Sequence, residues 1–366
     1  MIFNTIIFFL LSFLFFISLI GYGNLIRLNN FKDTYLQNSL NFFVGLIFLN
    51  VIGFVFYYLN IKNSSLNFLI LLFGLFFFDY KTNKKLLVKY LFIHLILFSG
   101  LLISKLHEDW SYHFNFIEQI TNHGPIIGIG NVEDIHVLST SFFSFTQKIF
   151  YLPIINFNYV FIPIYLVYIN LIALLFYLTF FFKEKSSIIC LMILTLIMIK
   201  ISRFSEFGYD YIANFLLIYL LIIFLLSHDK KINNFIGITF FLFIYAITIK
   251  ITSLFFLPII FYFFFKNKSY NFNFTKESIL SYILIVFFIS ENFLRSGCLL
   301  YFIELSCINH DLISWKIDFD RVANHSNHVE LWTKGFYHQQ LFNNPDEYLK
   351  FGNWFSNWFK IHFFYK

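Results

Sequence analysis

Two acids in succession, Glu108-Asp109, are followed three and four residues later by Tyr112-His113. Positions three and four apart share one face of a helix, so a helical stretch here would gather carboxylate, phenol and imidazole. A carboxylate held where water meets a bilayer can accept the proton of a sugar hydroxyl. His113 could orient that acid or bind a phosphate oxygen. Each group also has a plainer reading. Asp109 could be the N-cap of a helix over 109–122, and His113 a solvated histidine at the interface. The residues alone leave both readings open.

These groups belong to the segment 106–152, LHEDWSYHFNFIEQITNHGPIIGIGNVEDIHVLSTSFFSFTQKIFYL, which interrupts nearly pure hydrocarbon on both sides. Polar residues are costly beside apolar spans, so a dense polar segment there marks a functional position. The chain is 59% hydrophobic and 13% charged, against about 25% charged for a soluble domain. That composition excludes an ordinary soluble enzyme and predicts an all-α, polytopic membrane protein. The 59 phenylalanines read as coding bias rather than as a binding device. Apolar stretches at 2–21, 40–60, 65–80, 86–104, 159–182, 186–202, 210–227, 234–250, 252–265 and 278–295 predict about ten transmembrane helices. The break near Lys250 could instead be a re-entrant turn. The first stretch has no basic leader and no small-residue cleavage site, so it reads as a retained span.

Loop charge sets the orientation. Arg27 and Lys32, the Lys81–Lys85 cluster, Lys183 and Lys185, Lys230 and Lys231, and Lys266, Lys268 and Lys276 fall on one side when the spans alternate. The basic-rich side is expected in the cytoplasm. The 105–158 segment, the loop around Arg203–Tyr209 and the tail after Arg295 then share the outer face of the plasma membrane. The net charge of +6 is spread over these loops, which argues against nucleic acid as a partner. Four regions follow: N-terminal spans over 1–104, an outer loop over 105–158, further spans over 159–295 and an outer cap over 296–366. Cys298 and Cys307 both lie in the outer cap, where a disulfide is open to them; Cys190, in an apolar run, reads as packing.

Within the outer loop, Trp110, Phe114, Ile117 and Ile120 have the spacing of an amphipathic helix lying in the interface. His123-Gly124-Pro125 ends it, and a second helix is predicted from about Asp134 to Tyr151. Trp354 and Trp358, with Phe355 and Phe359, predict an interfacial helix at the end of the cap. Gly128-Ile129-Gly130-Asn131 lacks both the spacing and the lysine of a nucleotide loop. It could bring backbone amides to a substrate or be a plain turn.

Arg203, Lys250 and Arg295 each stand near the outer end of a predicted helix. Such a cation can pair with the phosphate of a lipid-linked donor or snorkel to headgroups. Arg203 could instead pair with Glu206 or Asp210. The cluster Asp318, Asp320, Arg321, His325, His328 and Glu330 reads as a solvated surface. His107, Glu108 and His113 lack the spacing of a structural zinc site. No cofactor is predicted from the residues, while a divalent ion shared with a phosphate stays open.

An ordered set of short motifs resembles a bacterial family of polytopic proteins related to the GT-C glycosyltransferases, the class that uses lipid-phosphate sugars. The set is Glu108-Asp109 with Tyr112-His113, then Gly124, Gly128, Gly130 and Asn131, then Arg203-Phe204-Ser205 with Gly208 and Asp210. It continues with Thr248-Ile249-Lys250-Ile251, Asn292, Leu294, Ser296-Gly297 and Tyr301, and Trp315-Lys316. The resemblance implies a GT-C-like fold whose first large outer loop carries the catalytic acid and interfacial helices. Asp109, or Glu108, would then be the base that activates the acceptor, with His113 beside it. Tyr112, Asn131, Arg203, Lys250 and Arg295 would contact substrate, Lys250 and Arg295 as donor-phosphate ligands. Two departures stand out. Val132-Glu133-Asp134 replaces the usual Leu-His-basic run, leaving only the later His136, and the chain stops at Lys366 where relatives continue into further spans. It is expected to be a shortened member or a truncated reading frame.

The expected activity is transfer of a sugar from a polyprenyl-phosphate donor to an envelope glycan, lipid or protein on the outer face. Its partners would be membrane lipids, that donor and a glycan or lipid acceptor. A flippase or polysaccharide exporter is the alternative from another class; it would need polar residues distributed along mid-span positions. An O-antigen polymerase or ligase would rely on arginine-rich outer loops, which this sequence lacks.

Overall fold

An apolar run in lipid must satisfy its backbone groups internally, and coiling into a helix does so. The computed structural model bears this out over the residues it describes: 2–28, 31–103, 113–132, 141–152, 159–181, 186–199, 208–228, 235–266, 275–301, 303–308, 313–336, 344–350 and 352–363. Among them the protein is all-helical, without a strand. A helix lies on every apolar stretch predicted above. These are α1 (Ile2–Ile26), α2 (Thr34–Tyr58), α3 (Ser64–Phe73, extended by a 3-10 turn over Gly74–Phe77) and α4 (Tyr80–Ile103). After the polar segment come α7 (Ile162–Phe180), α8 (Ser186–Ile199), α9 (Asp210–His228), α10 (Ile236–Ile249), α11 (Leu257–Lys266) and α12 (Lys276–Ser296). Four of them, α1 from Thr5, α2, α7 and α12, are long and apolar enough to cross a membrane. At 1.5 Å per residue α2 extends about 37 Å, more than the hydrocarbon thickness.

Local chemistry sets several boundaries. The Asp33 carboxylate accepts from the Tyr35 and Leu36 amides at 2.9 and 3.0 Å and so caps α2. Asn63 does the same for α3 through the Leu66 amide. α1 and α2 approach closely because glycine permits it: a Cβ on Gly45 would lie 1.9 Å from the Leu19 carbonyl oxygen. α7 is buried along nearly its whole length, as expected of a helix apolar on every side.

The chain divides into two compact units. The first contains residues 1–125 and 139–288, the second 126–138 and 289–366. In the first, amide side chains tie the apolar helices together. Asn38 donates to Asn83 at 2.8 Å, and Asn50 donates to the Phe142 carbonyl at 2.7 Å. Cys190 is free and buried. In the second unit the Cys298–Cys307 disulfide is formed, and the Ile317 amide donates to the Ser296 carbonyl at 2.9 Å. Tyr301, Ile317 and Val322 pack there as a small core, with α13 (Phe319–Thr333), α14 (Pro345–Leu349) and α15 (Asn353–Phe363) following. In α15 the rings of Phe355 and Phe359 are largely exposed.

The polar segment differs from its reading as two interfacial helices. α5 (His113–Asn122) is amphipathic as predicted, with Phe114, Ile117 and Ile120 inside and Asn115, Glu118 and Asn122 exposed. The second helix, expected over 134–151, is described only as the short α6 (Ser144–Ile149); residues 133–140 lie outside the described set. Every residue from Ser141 to Phe150 is buried. The physical reason lies in the partners that receive its polar groups: the Phe142 carbonyl accepts from Asn50, the Lys148 carbonyl from Asn67, and the Lys148 ammonium donates to the Ile61 carbonyl. Gly53 of α2 also lets this backbone come close, since a Cβ there would meet the Phe145 carbonyl oxygen at 2.0 Å.

Candidate functional site

The site is built where three elements of the first unit meet. His113 opens α5 and is 5% exposed. Its ring meets Tyr209 edge-on, with centroids 4.6 Å apart. Tyr209 directly precedes Asp210, the acid in the first turn of α9, where the positive end of the helix dipole favours a carboxylate. The Asp210 Oδ1 lies 2.7 Å from the Lys250 Nζ. Lys250 caps the carboxyl end of α10 in an extended conformation, a position that suits a cation. The chain then continues as a 3-10 turn over Ile251–Phe256 into α11. Two hydrogen bonds hold this break: the Ser253 hydroxyl donates to the Ala246 carbonyl at 3.1 Å, and the Phe142 amide to the Thr248 carbonyl at 3.2 Å.

His113, Tyr209, Asp210 and Lys250 therefore form one chain of neighbours from three helices. Half-open to solvent, with side chains 54% and 36% exposed, the Asp210–Lys250 pair is worth only about 0–1 kcal/mol. An incoming anion can compete for Lys250 at little cost. Asp210 thus pairs with Lys250; its reading as a partner of Arg203 involves a residue outside the described set. Glu108, Asp109, Tyr112, Arg203 and Glu206 lie outside the described residues, as do His107 and His136. Among the described residues no cluster of three or more His, Cys, Asp or Glu side chains could hold a metal ion.

The remaining expected positions belong to the second unit. Gly128 adopts φ 71°, a left-handed conformation that favours glycine, and its amide donates to the Leu294 carbonyl at 2.8 Å. Asn131 donates through Nδ2 to the Trp315 carbonyl at 2.7 Å, and its own carbonyl accepts from Arg321 at 2.9 Å. The glycine turn thus joins the cap segments to one another. Arg295 is 1% exposed and is paired with Glu291 one helical turn earlier. Asp318, Asp320, His328 and Glu330 are exposed, as read from the sequence.

Sequence reasoning missed Tyr209 and the Asp210–Lys250 pair. The available signal was an acid opening one apolar stretch and a lysine closing another, both at the same expected membrane boundary.

A family described as a domain of unknown function, DUF8201, matches residues 5–366. No curated protein and no solved structure matches the chain.

Proposed function

The chain belongs to this family, and we propose that it is an integral-membrane glycosyltransferase of GT-C type with about ten membrane helices. It moves a sugar from a polyprenyl-phosphate donor to an envelope acceptor on the outer face of the plasma membrane. The observation that carries this reading is the line of His113, Tyr209, Asp210 and Lys250 at the ends of α5, α9 and α10. It supplies a displaceable cation for a phosphate in the same line of neighbours as His113, which follows Asp109 by four residues in the sequence. In the proposed step Asp109 takes the proton of the acceptor hydroxyl. The new bond forms from that oxygen to the anomeric carbon as the bond to the phosphate oxygen breaks, and the phosphate departs with both electrons. Lys250 neutralises it. Arg295 is a weaker candidate for that role, because Glu291 already engages it in a buried position. The Cys298–Cys307 disulfide supports an oxidising outer location for the cap.

A carrier is less favoured, because α1, α2, α7 and α10 contain no Asp, Glu, Lys or Arg from which to line a polar path. The test is Asp109→Asn in proteoliposomes supplied with polyprenyl-phosphate hexose and a lipid acceptor. Loss of general-base catalysis predicts a fall in transfer of about 10²–10⁴-fold with membrane insertion unchanged. Full transfer by the variant would defeat the assignment.

A further inference from the structure

Lys148 is the least expected cation in the first unit. It lies in α6, between membrane-spanning stretches, and the residue is only 2% exposed. Its ammonium donates to the Ile61 carbonyl at 3.1 Å, one hydrogen bond for a group with three donors. The carbonyl belongs to the turn joining α2 to α3, and the next residue is the exposed Lys62. Lys62 directly precedes Asn63, the N-cap of the ten-residue α3, so the positive end of a helix dipole adds to the two lysines. Among the described residues no carboxylate pairs with either lysine, the described ion pairs being Lys250–Asp210, Arg295–Glu291 and Lys334–Glu330. Burial pushes the Lys148 pKa down to about 8, and Lys62 adds to the effect. A cation kept inside a protein needs a counter-charge, and like charges gathered without one mark a place for an anion.

We propose that Lys148, Lys62 and the first turn of α3 bind a phosphate group. The turn joins two apolar helices, so it sits where headgroups meet the hydrocarbon. A phospholipid headgroup and free phosphate present the same chemistry there. Lys148 grips the anion from inside, and Lys62 closes over it from solvent. The proposal is independent of the glycosyltransferase reading, since neither lysine belongs to the His113–Lys250 line.

The experiment is thermal melting of the purified full chain in an uncharged detergent. One arm is titrated with inorganic phosphate and another with phosphatidylglycerol in mixed micelles, with sodium chloride at matched ionic strength as the control. The melting temperature is expected to rise in at least one arm. A rise with the lipid alone identifies a headgroup as the source, and a rise with phosphate alone identifies the free anion. Lys148→Met should abolish the response, and Lys62→Gln should weaken apparent affinity about tenfold, the loss of one charge-assisted hydrogen bond. Lys62 is exposed, so its variant decides the matter even if Lys148→Met fails to fold. No rise in either arm, or a folded variant that responds like the wild type, overturns the proposal.

Discussion

Arg295 shows how the structure can add a role to a residue singled out in the sequence. By position and resemblance it reads as a phosphate ligand at the outer end of a span. Its guanidinium is buried and bonded to Glu291 four residues earlier. That spacing is itself a sequence signal, legible once an acid and a base on one apolar helix are asked to satisfy each other. Breaking a buried pair by removing one partner costs about 3–5 kcal/mol, whereas replacing both by apolar groups is often neutral. Arg295→Met should therefore lower the melting temperature of the purified protein sharply. The double variant Glu291→Leu, Arg295→Met should recover most of the loss. Equal melting of the single variant and the wild type would remove the structural role. The Asp210–Lys250 pair was harder to read, because its members are forty residues apart and only folding brings α9 and α10 together.

Elements were legible wherever hydrophobic length alone decides. Each long apolar run is a helix, and Asp33 and Asn63 cap the helices they precede. The Ser141–Phe150 stretch was not. Its phenylalanines alternate with serine, threonine and glutamine, a pattern shared by an interfacial helix and a buried plug. What decides between them lies elsewhere in the chain: Gly53 clears a seat on α2, Asn50 bonds the Phe142 carbonyl, and Asn67 of α3 donates to the Lys148 carbonyl at 3.3 Å. Gly53→Ala should push α2 from α6, since the added carbon would meet the Phe145 carbonyl oxygen at 2.0 Å. Overpacking of this kind costs about 1–3 kcal/mol. Melting in detergent would register it, and an unchanged midpoint would mean that the seat is not tight.

For the whole molecule, composition and loop charge carry the argument. The all-helical architecture followed from 59% hydrophobic residues and from the lengths of their runs. The division into two units did not, because α12 runs continuously from Lys276 to Ser296 while its last turns pack with the segments that follow. The distribution of basic residues predicts that Ser111 and Asn327 both face the outside of the cell. Single cysteines at these positions, in a background lacking the native thiols, should react with an impermeant maleimide on intact cells. Labelling of both only after the membrane is opened would reverse the orientation, and labelling from opposite sides would overturn the topology.

The buried stretch on α2 also bears on biogenesis. Gly53, Asn50, Ile61 and Asn67, which receive it, are all translated before Ser141 leaves the ribosome. This part of its seat is made on arrival, while the Val160 carbonyl that accepts from Gln147 and the Thr248 carbonyl that bonds the Phe142 amide are added later. A nascent chain halted between these two events would already hold Lys148 against the turn after α2, so a protease-resistant core should emerge during synthesis, before the last helices are made.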